Sequence, residues 1–305
     1  MRQVAAWGRF RSRRFKRHVD RTKVTLPSAP AANAPIGVFD SGIGGLSVLR
    51  HIRTRLPHED LLYVADSGFA PYGGKPEEVI VARTVAIAEF LLQRGAKALV
   101  LACNTATAAA IKGLRQIYPE LPVVGVEPGL KPAAALTQSR TVGVLATTFT
   151  LGSDKFKQLH EQIATTTQVR FVLQACVGLV DQVEKGELDT AETAAMIKRY
   201  VEPLIEQGAD TLVLGCTHYP FVQTLIDACI RQATDRQIAI IDTGDAVAQQ
   251  LARLLAQHRL ARAPGETGTL EGFTTAGEAA LANAFATLLG LQPRITHITL
   301  QHTVN

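Results

Sequence analysis

A fifteen-residue segment occurs twice in this chain, and it constrains the fold more than any other feature of the sequence. The first copy, residues 91–105, reads LLQRGAKALVLACNT, and the second, residues 204–218, reads LIEQGADTLVLGCTH. Seven of the fifteen positions are identical, including Cys103 and Cys216. Each copy predicts the end of a helix, a Gly that stops it, a short buried strand and then a thiol. The chain is therefore expected to consist of two related halves.

Strands and helices alternate along both halves. The buried strands are predicted at residues 36–40, 99–102 and 123–126 in the first half and at 142–145, 169–173, 212–214 and 238–241 in the second. Such alternation predicts parallel sheets joined by right-handed crossovers. The fold class is α/β, with two similar open parallel-sheet domains in a pseudo-two-fold relation. Cys103 and Cys216 follow strands, where open parallel sheets usually bind ligands. The two halves could therefore present both thiols to one ligand.

Helix boundaries and the C-terminal elements complete the predicted division into domains. A helix starts after Pro76 and ends at Gly95, and the corresponding helix of the second half is predicted to start with a capping box, Asp189 with Glu192, and to reach Gly208. The last residues predict a helix near 245–257, a strand near 271–275 and a helix near 278–289, more than the second half requires. We therefore expect a first domain of residues 35–127 and 242–305, and a second of residues 128–241.

Composition places the chain among globular proteins. Its 305 residues are 47% apolar, which is enough to form a large core. Domains usually contain about 100–200 residues, so this length predicts about two domains. No apolar run approaches the roughly 18 residues of a membrane span, so no membrane partner is expected. The four cysteines form no C-x-x-C pair, which argues against a disulfide framework or a structural zinc site and favours a reducing, cytoplasmic location.

The charge is unevenly distributed. Residues 1–34 hold nine of the 32 basic residues and one of the 27 acidic ones, a net charge of +8, which leaves −3 on the remaining 271. The body therefore gives no electrostatic reason to expect specific nucleic-acid binding. The basic segment predicts a disordered extension that holds no motif residue. A transit peptide, an overlong gene start, or an arm that contacts phosphates without specificity are the other interpretations.

Five segments carry the polar residues that follow the predicted strands and loops. They are residues 40–45 (DSGIGG), 71–74 (PYGG), 102–106 (ACNTA), 176–184 (CVGLVDQVE) and 215–220 (GCTHYP). Together they resemble the corresponding segments of the glutamate racemases, in the aspartate/glutamate racemase family. The match runs in order through nearly all of residues 35 to about 290.

The resemblance implies a fold, an activity and a set of residues. It implies an active site in the cleft between two α/β domains, and an isomerase without cofactor or metal that interconverts L- and D-glutamate for peptidoglycan synthesis. By resemblance, Asp40 partners Cys103, whereas His218, backed by Glu184, partners Cys216. Tyr72 and Gly73 join the substrate-binding residues by resemblance, as do Asp40 and His218. A homodimer is compatible with the sequence, which gives no dimer geometry.

The chemistry of racemisation accounts for two thiols independently of the resemblance. A base must remove the Cα proton on one face, and an acid must return a proton to the other. A free thiol is mostly protonated at neutral pH, so each Cys needs a neighbour that favours or accepts its proton. Side chains at strand-to-helix turns can bind the two carboxylates of glutamate beside helix N-termini, and these are Ser41, Asn104, Thr105 and Thr217.

Several alternatives stay open at this point. The same two thiols would suit a racemase for aspartate or another amino acid, and a binding protein could keep the fold without the chemistry. The cysteines could simply be buried hydrophobic residues, and residues 71–74 could be a simple turn. Cys216 and His218 could form half of a metal site, or Ser41 and His218 could belong to a hydrolase. The metal site lacks further ligands and the hydrolase lacks a G-x-S-x-G motif.

One departure from the family pattern affects the fourth segment. The family commonly has Pro after the Cys that corresponds to Cys176, whereas Val177 follows here. The assignment of Glu184 therefore depends on an ungapped match from residue 175 to residue 186. Cys176 itself, and Cys229 on an amphipathic helix, are expected to be structural.

Overall fold

A computed structural model describes residues 31–300, so residues 1–30 of the basic segment lie outside the described residues. The strands are β1 (Ile36–Asp40), β2 (Leu61–Ala65), β3 (Ala98–Leu101), β4 (Val123–Gly125), β5 (Thr141–Ala146), β6 (Arg170–Ala175), β7 (Thr211–Leu214), β8 (Ala239–Ile241), β9 (Leu270–Thr274) and β10 (Arg294–His297). The helices are α1 (Leu46–Arg55), α2 (Glu77–Gln93), α3 (Asn104–Ile117), α4 (Leu130–Leu136), α5 (Thr148–Gly152), α6 (Asp154–Thr167), α7 (Leu179–Glu184), α8 (Ala191–Glu206), α9 (Gln223–Ala233), α10 (Gly244–Gln257) and α11 (Glu278–Leu289). Short 3₁₀ turns lie at Ser67–Phe69, Tyr72–Gly74 and Tyr219–Val222.

The strands form two parallel sheets, as the alternation predicts. The first sheet has the order β10-β9-β2-β1-β3-β4 and the second has the order β6-β5-β7-β8. All of the strand pairs described are parallel. The order β2-β1-β3-β4 in one sheet matches β6-β5-β7-β8 in the other. The predicted fold class, two similar open α/β sheets, is therefore confirmed.

The duplicated segment occupies the same place in both sheets. Gly95 and Gly208 follow α2 and α8 with φ of +82° and +94°, a conformation that favours glycine. In both copies the next residue, Ala96 or Ala209, donates its N–H to the carbonyl five residues earlier, which closes a Schellman turn. The thiols then follow β3 and β7 at the carboxyl edges of the two sheets.

Glycines in the central strands repeat the correspondence. Gly37 of β1 lies against Leu91 and Leu99, and an added Cβ would be 3.0 Å from a carbon of each. The second sheet has Gly143 at the equivalent position of β5, packed against the aligned Leu204 and Leu212. Both copies therefore seat a helix on the sheet through a strand glycine.

Two details differ from the sequence prediction. The capping box at Asp189 is wrong, because Thr190 caps α8 by accepting a hydrogen bond from the N–H of Thr193. A Thr hydroxyl next to the first turn serves the free N–H groups as well as a carboxylate does, and the sequence pattern alone does not choose between adjacent caps. The structure also contains β2 and β10, which the pattern analysis did not identify.

The chain returns to the first sheet after β8. Helix α10 packs against α1, and β9 pairs with β2 from Leu61↔Leu270 to Ala65↔Thr274. Strand β10 then extends the sheet beyond β9. Within residues 31–300, none of the helices combines the length and apolar character that spanning a membrane requires.

Residues 31–34, the described part of the basic segment, contact the first sheet. The ammonium group of Lys97 is fully buried, forms an ion pair with Glu59 and donates a hydrogen bond to the carbonyl of Ala32. The second carboxylate oxygen of Glu59 accepts the N–H of Arg262. This cluster joins the segment before β1 to the segment before β9.

We predict different results for two N-terminal truncations. Removal of residues 1–30 should leave the thermal midpoint unchanged, whereas removal of residues 1–34 takes away the carbonyl of Ala32 from the buried Lys97. An unsatisfied buried donor costs about 1–3 kcal/mol, or a few degrees in Tm. Calorimetry measures the midpoints, and kcat should stay within a few-fold for both because neither removes a motif residue. A hundredfold loss of kcat in a folded truncation would contradict this prediction.

Candidate active site

The two thiols lie at the carboxyl edges of the two sheets, and each is buried. Cys103 is 5% exposed and Cys216 is 7% exposed. Asp40 is the last residue of β1, and His218 lies two residues after Cys216. The N–H of Ile43, three residues after Asp40, donates to Glu184, which lies 2.6 Å from His218, so the strand ends of the two domains lie close together.

Cys103 is the N-cap of α3. Its Sγ accepts a hydrogen bond from the N–H of Ala106 at 3.4 Å and lies 3.5 Å from the Oγ of Ser41. Burial and then the charge of Asp40 raise the pKa of the Cys103 thiol to about 12, although the hydrogen bonds lower it. Cys103 is therefore a thiol, and not a thiolate, at neutral pH in this structure.

Asp40 is buried beside this thiol. Its Oδ2 accepts hydrogen bonds from the N–H groups of Gly42 at 3.1 Å and Gly45 at 3.0 Å, whereas its Oδ1 is buried without a hydrogen-bond partner among the described residues. Burial raises the pKa of Asp40 above its usual value near 3.8, and the charge of His218 partly opposes that rise. One carboxylate oxygen thus remains available for a proton or a ligand.

Cys216 has a different partner. Its Sγ lies 3.6 Å from Nδ1 of His218, and Nε2 of His218 lies 2.6 Å from Oε1 of Glu184. Burial lowers the pKa of His218, but the hydrogen bonds to Cys216 and Glu184 outweigh it and hold the pKa well above 6.5. Burial raises the pKa of Glu184, and the bond to His218 outweighs burial and keeps that pKa below its usual value. A charged His218 between the sulfur of Cys216 and the carboxylate of Glu184 is the favoured state.

Glu184 also contacts the first domain. The same Oε1 accepts the N–H of Ile43 at 2.9 Å, in the loop between β1 and α1. Nearby, the Oγ of Ser47 donates to the carbonyl of Thr217 at 2.8 Å. The structure therefore brings Glu184, His218 and the loop of residues 42–45 together, although Val177 departs from the family pattern and is 69% exposed.

The predicted binding residues Asn104, Thr105 and Thr217 are buried around the thiols. The amide of Asn104 is the most informative, because neither its Nδ2 nor its Oδ1 has a hydrogen-bond partner among the described residues. Burying an amide without partners is costly, so such a group is expected to bind a ligand. It lies in the first turn of α3, where free N–H groups favour an anion.

The segment of Tyr72 and Gly73 reaches the second domain. An added Cβ on Gly73 would lie 4.0 Å from the Cβ of Phe149 in α5. The hydroxyl of Tyr72 does not point to an empty position, since it donates to Oδ2 of Asp66 at 2.7 Å. A ligand would therefore contact the backbone of Tyr72 and Gly73, and not the Tyr72 hydroxyl.

Sequence reasoning missed part of this region. A small pocket next to Asn104 is lined by Thr150, Lys155 and Phe156 of the second domain. Thr150 lies outside all five segments, and its Oγ1 lies 2.9 Å from that of Thr147. Asp66 was missed because it lies outside all five segments. Cys176 and Cys229 are buried and pack in the core.

Comparison with known proteins decides the family. The model of the Asp/Glu/hydantoin racemases matches residues 36–251. The chain belongs to this family. A curated glutamate racemase from Ectopseudomonas mendocina is 57% identical over 229 residues, which cover 75% of this chain and 85% of that one.

Solved structures of family members have the same fold. A glutamate racemase from Bacillus anthracis superposes with a TM-score of 0.78 at 33% identity, covering 88% of this chain and 99% of that one. The Escherichia coli glutamate racemase, solved with L-glutamate and the activator UDP-MurNAc-ala, has a TM-score of 0.74 at 30% identity and covers 88% of this chain and 99% of its own. The resemblance noted in the sequence is confirmed, and the chain is an amino-acid racemase of this family.

We predict that Gly44→Ala strongly reduces racemisation. An added Cβ at Gly44 would overlap the imidazole of His218, so the ring must shift from its position beside Cys216. Displacing a reacting group by about 1 Å can cost on the order of a hundredfold in rate. Steady-state kinetics should show at least that loss in kcat/KM, with an unchanged circular-dichroism spectrum.

Gly152→Ala is the matched control, because an added Cβ there has no neighbour within 4 Å. It should keep kcat/KM within about twofold, since exposed Gly-to-Ala changes in helices are mild. Equal activity of the two variants would show that the contact between Gly44 and His218 is not needed.

Proposed function

We propose that the protein interconverts L- and D-glutamate by proton transfer between Cα and two thiols, Cys103 and Cys216. The observation that carries the proposal is that each thiol follows an equivalent strand of one domain and has its own acid–base neighbour, Asp40 for Cys103 and His218 for Cys216. One thiolate removes the Cα proton from one face, and the other thiol returns a proton to the opposite face. After one turnover the two sulfur atoms have exchanged protonation states.

The two neighbours fit this exchange in different ways. A protonated His218, held by Glu184, stabilises a Cys216 thiolate 3.6 Å away. On the other side, Asp40 has a raised pKa and an unpartnered oxygen, so it is suited to receive the Cys103 proton when that thiol must act as the base. The catalytic residues proposed are therefore Cys103, Cys216, Asp40, His218 and Glu184.

The substrate carboxylates are proposed to bind at helix N-termini and polar side chains around the thiols. The unpartnered amide of Asn104 at the start of α3 is the main support. The other proposed contacts come from Ser41, Thr105, Thr217 and the loop of Tyr72 and Gly73. No cofactor is needed in this scheme, because the acids and bases are all side chains of the chain itself.

The domain bounds, the cellular role and the oligomeric state are also part of the proposal. The first domain comprises residues 35–127 and 242–305, and the second comprises residues 128–241, so the substrate binds between them. The product D-glutamate would supply peptidoglycan synthesis in the cytoplasm, where four reduced cysteines are expected to stay reduced. A homodimer is kept as part of the proposal, with no interface assigned.

The substrate is tested directly with the full chain. When purified protein is added to D-glutamate without cofactor, the circular-dichroism signal of the D-glutamate should fall as the racemate forms. D-Aspartate should react far more slowly. Faster turnover of D-aspartate would identify an aspartate racemase instead. Binding of glutamate without turnover would identify a binding protein of the same fold.

We predict that Cys103→Ser and Cys216→Ser each lower racemisation by several orders of magnitude. A hydroxyl is too weakly acidic to provide the anion, while the remaining thiol still serves one face. Given a glutamate analogue that needs only proton abstraction to eliminate a leaving group, each variant should process one enantiomer. The preferred enantiomer should be opposite for the two variants.

Cys229→Ser is the matched control, because this thiol lies in the core on α9 and should leave turnover nearly unchanged. The two-thiol assignment is wrong if both variants prefer the same enantiomer or if either keeps near-normal racemisation.

A further inference from the structure

Asp66, the residue that follows β2, is fully buried and binds donors from three separate parts of the first domain. Its Oδ2 accepts the hydroxyl of Tyr72 at 2.7 Å and Nε of Arg83 at 3.0 Å. Its Oδ1 accepts the second guanidinium nitrogen of Arg83 and, at 2.8 Å, the hydroxyl of Thr275. Both oxygens therefore have hydrogen-bond partners within the protein, unlike Oδ1 of Asp40.

Arg83 connects this carboxylate to the end of the described chain. It lies on α2 and is 4% exposed. One guanidinium nitrogen donates to the carbonyl of Leu300 at 3.2 Å, and the guanidinium carbon lies 4.7 Å from the ring centroid of Phe69. The planar guanidinium group thus contacts the loop, the carboxylate and the segment after β10 at the same time.

Thr275 holds the other end of the same loop. Its hydroxyl accepts the N–H of Gly68 at 3.0 Å while it donates to Asp66. An added Cβ on Gly68 would overlap the carbonyl of Thr275, so the loop lies directly on the segment after β9. Residues 67–74, which we call the Tyr72 loop, are thereby fixed at both Gly68 and Tyr72.

The network also touches the end of β1. The N–H of Asp66 donates to the carbonyl of Asp40 at 3.0 Å, so the carboxylate that orients the Tyr72 loop is attached to the backbone of Asp40. At the far side of the loop, Gly73 faces Phe149 of the second domain. The loop therefore lies between this network and the space between the domains.

A buried ion pair is weak evidence for stability, because desolvation offsets most of its attraction. An Arg that binds both oxygens of a carboxylate does fix the orientation of the two side chains relative to each other, because the guanidinium donors form a rigid planar fork. Four donors on one carboxylate, together with the guanidinium group over the Phe69 ring, fix the orientation of the Tyr72 loop. We therefore expect this arrangement to fix the position of the Tyr72 loop more than it stabilises the fold.

We propose that Asp66, Arg83 and Thr275 are positioning residues that hold the Tyr72 loop in the orientation that binds substrate. The C-terminal elements β9 and β10 would thus support substrate binding at a distance from the thiols. This inference rests on the proposed role of Tyr72 and Gly73 in the site.

The test uses a matched pair at position 275 in the full chain. Thr275→Val removes the hydroxyl but keeps the shape, whereas Thr275→Ser keeps the hydroxyl. For D-glutamate, Thr275→Val should raise KM about tenfold with kcat within about threefold, and Thr275→Ser should keep KM within about twofold. A purely structural role would lower the thermal midpoint without this split between KM and kcat. Equal KM values for the two folded variants would overturn the proposal.

A second pair on one helix decides the question if Thr275→Val does not fold. Arg83→Lys loses the fork on Asp66 and should raise KM in the same way. Arg94→Lys is its control, because Arg94 is the C-cap of α2, lies about 16 Å along the helix from Arg83, and stacks over Phe90 with its guanidinium carbon 3.9 Å from the ring centroid. Unchanged KM in Arg83→Lys would overturn the proposal.

Cys103→Ser, assayed in parallel, separates this inference from the proposed function. If that variant keeps near-normal racemisation, the two-thiol function fails whatever the KM values are. If it is inactive while Thr275→Val and Arg83→Lys bind D-glutamate normally, the positioning role alone fails.

Discussion

The contact between Glu184 and the loop of residues 42–45 is the constraint on which the site depends. Glu184 accepts one hydrogen bond from Ile43 in the first domain and lies 2.6 Å from His218 in the second. Side chains at Gly42 and Gly44 would overlap Glu184 and His218, so the two glycines let the domains approach this closely. The same contact that joins the domains therefore orients the imidazole toward Cys216.

The two thiols have unequal surroundings because the duplication preserved the thiols and not their neighbours. Asp40 at the end of β1 corresponds to Ala146 at the end of β5, and His218 corresponds to Thr105. Each half thus kept a charged partner that the other half lacks, at a different position relative to its Cys. The result is a carboxylate beside Cys103, which adds to the effect of burial in raising the pKa of that thiol, and a charged imidazole whose Nδ1 lies 3.6 Å from the sulfur of Cys216.

Much of the fold was predictable because local signals and the repeat agree. The turns at Gly95 and Gly208 follow from a conformation that only glycine adopts readily, and the strand before each Cys is continuously apolar. The cap of α8 was missed because Asp189 and Thr190 are equally good local candidates, and only the path of the chain selects the Thr. Strand β10 was missed since an edge strand with exposed residues carries little hydrophobic pattern.

The sequence by itself determined the two-sheet α/β class, the placement of Cys103 and Cys216 after equivalent strands, and the family, because these follow from short-range pattern and repetition. Only the tertiary structure decided that Glu184 meets Ile43 across 141 positions of the chain and that Asp66 meets Thr275 across 209. Those contacts join segments whose separation in sequence carries no periodic signal. They form because packing the two sheets and returning the chain to β9 bring their ends together, which no local preference of the residues specifies.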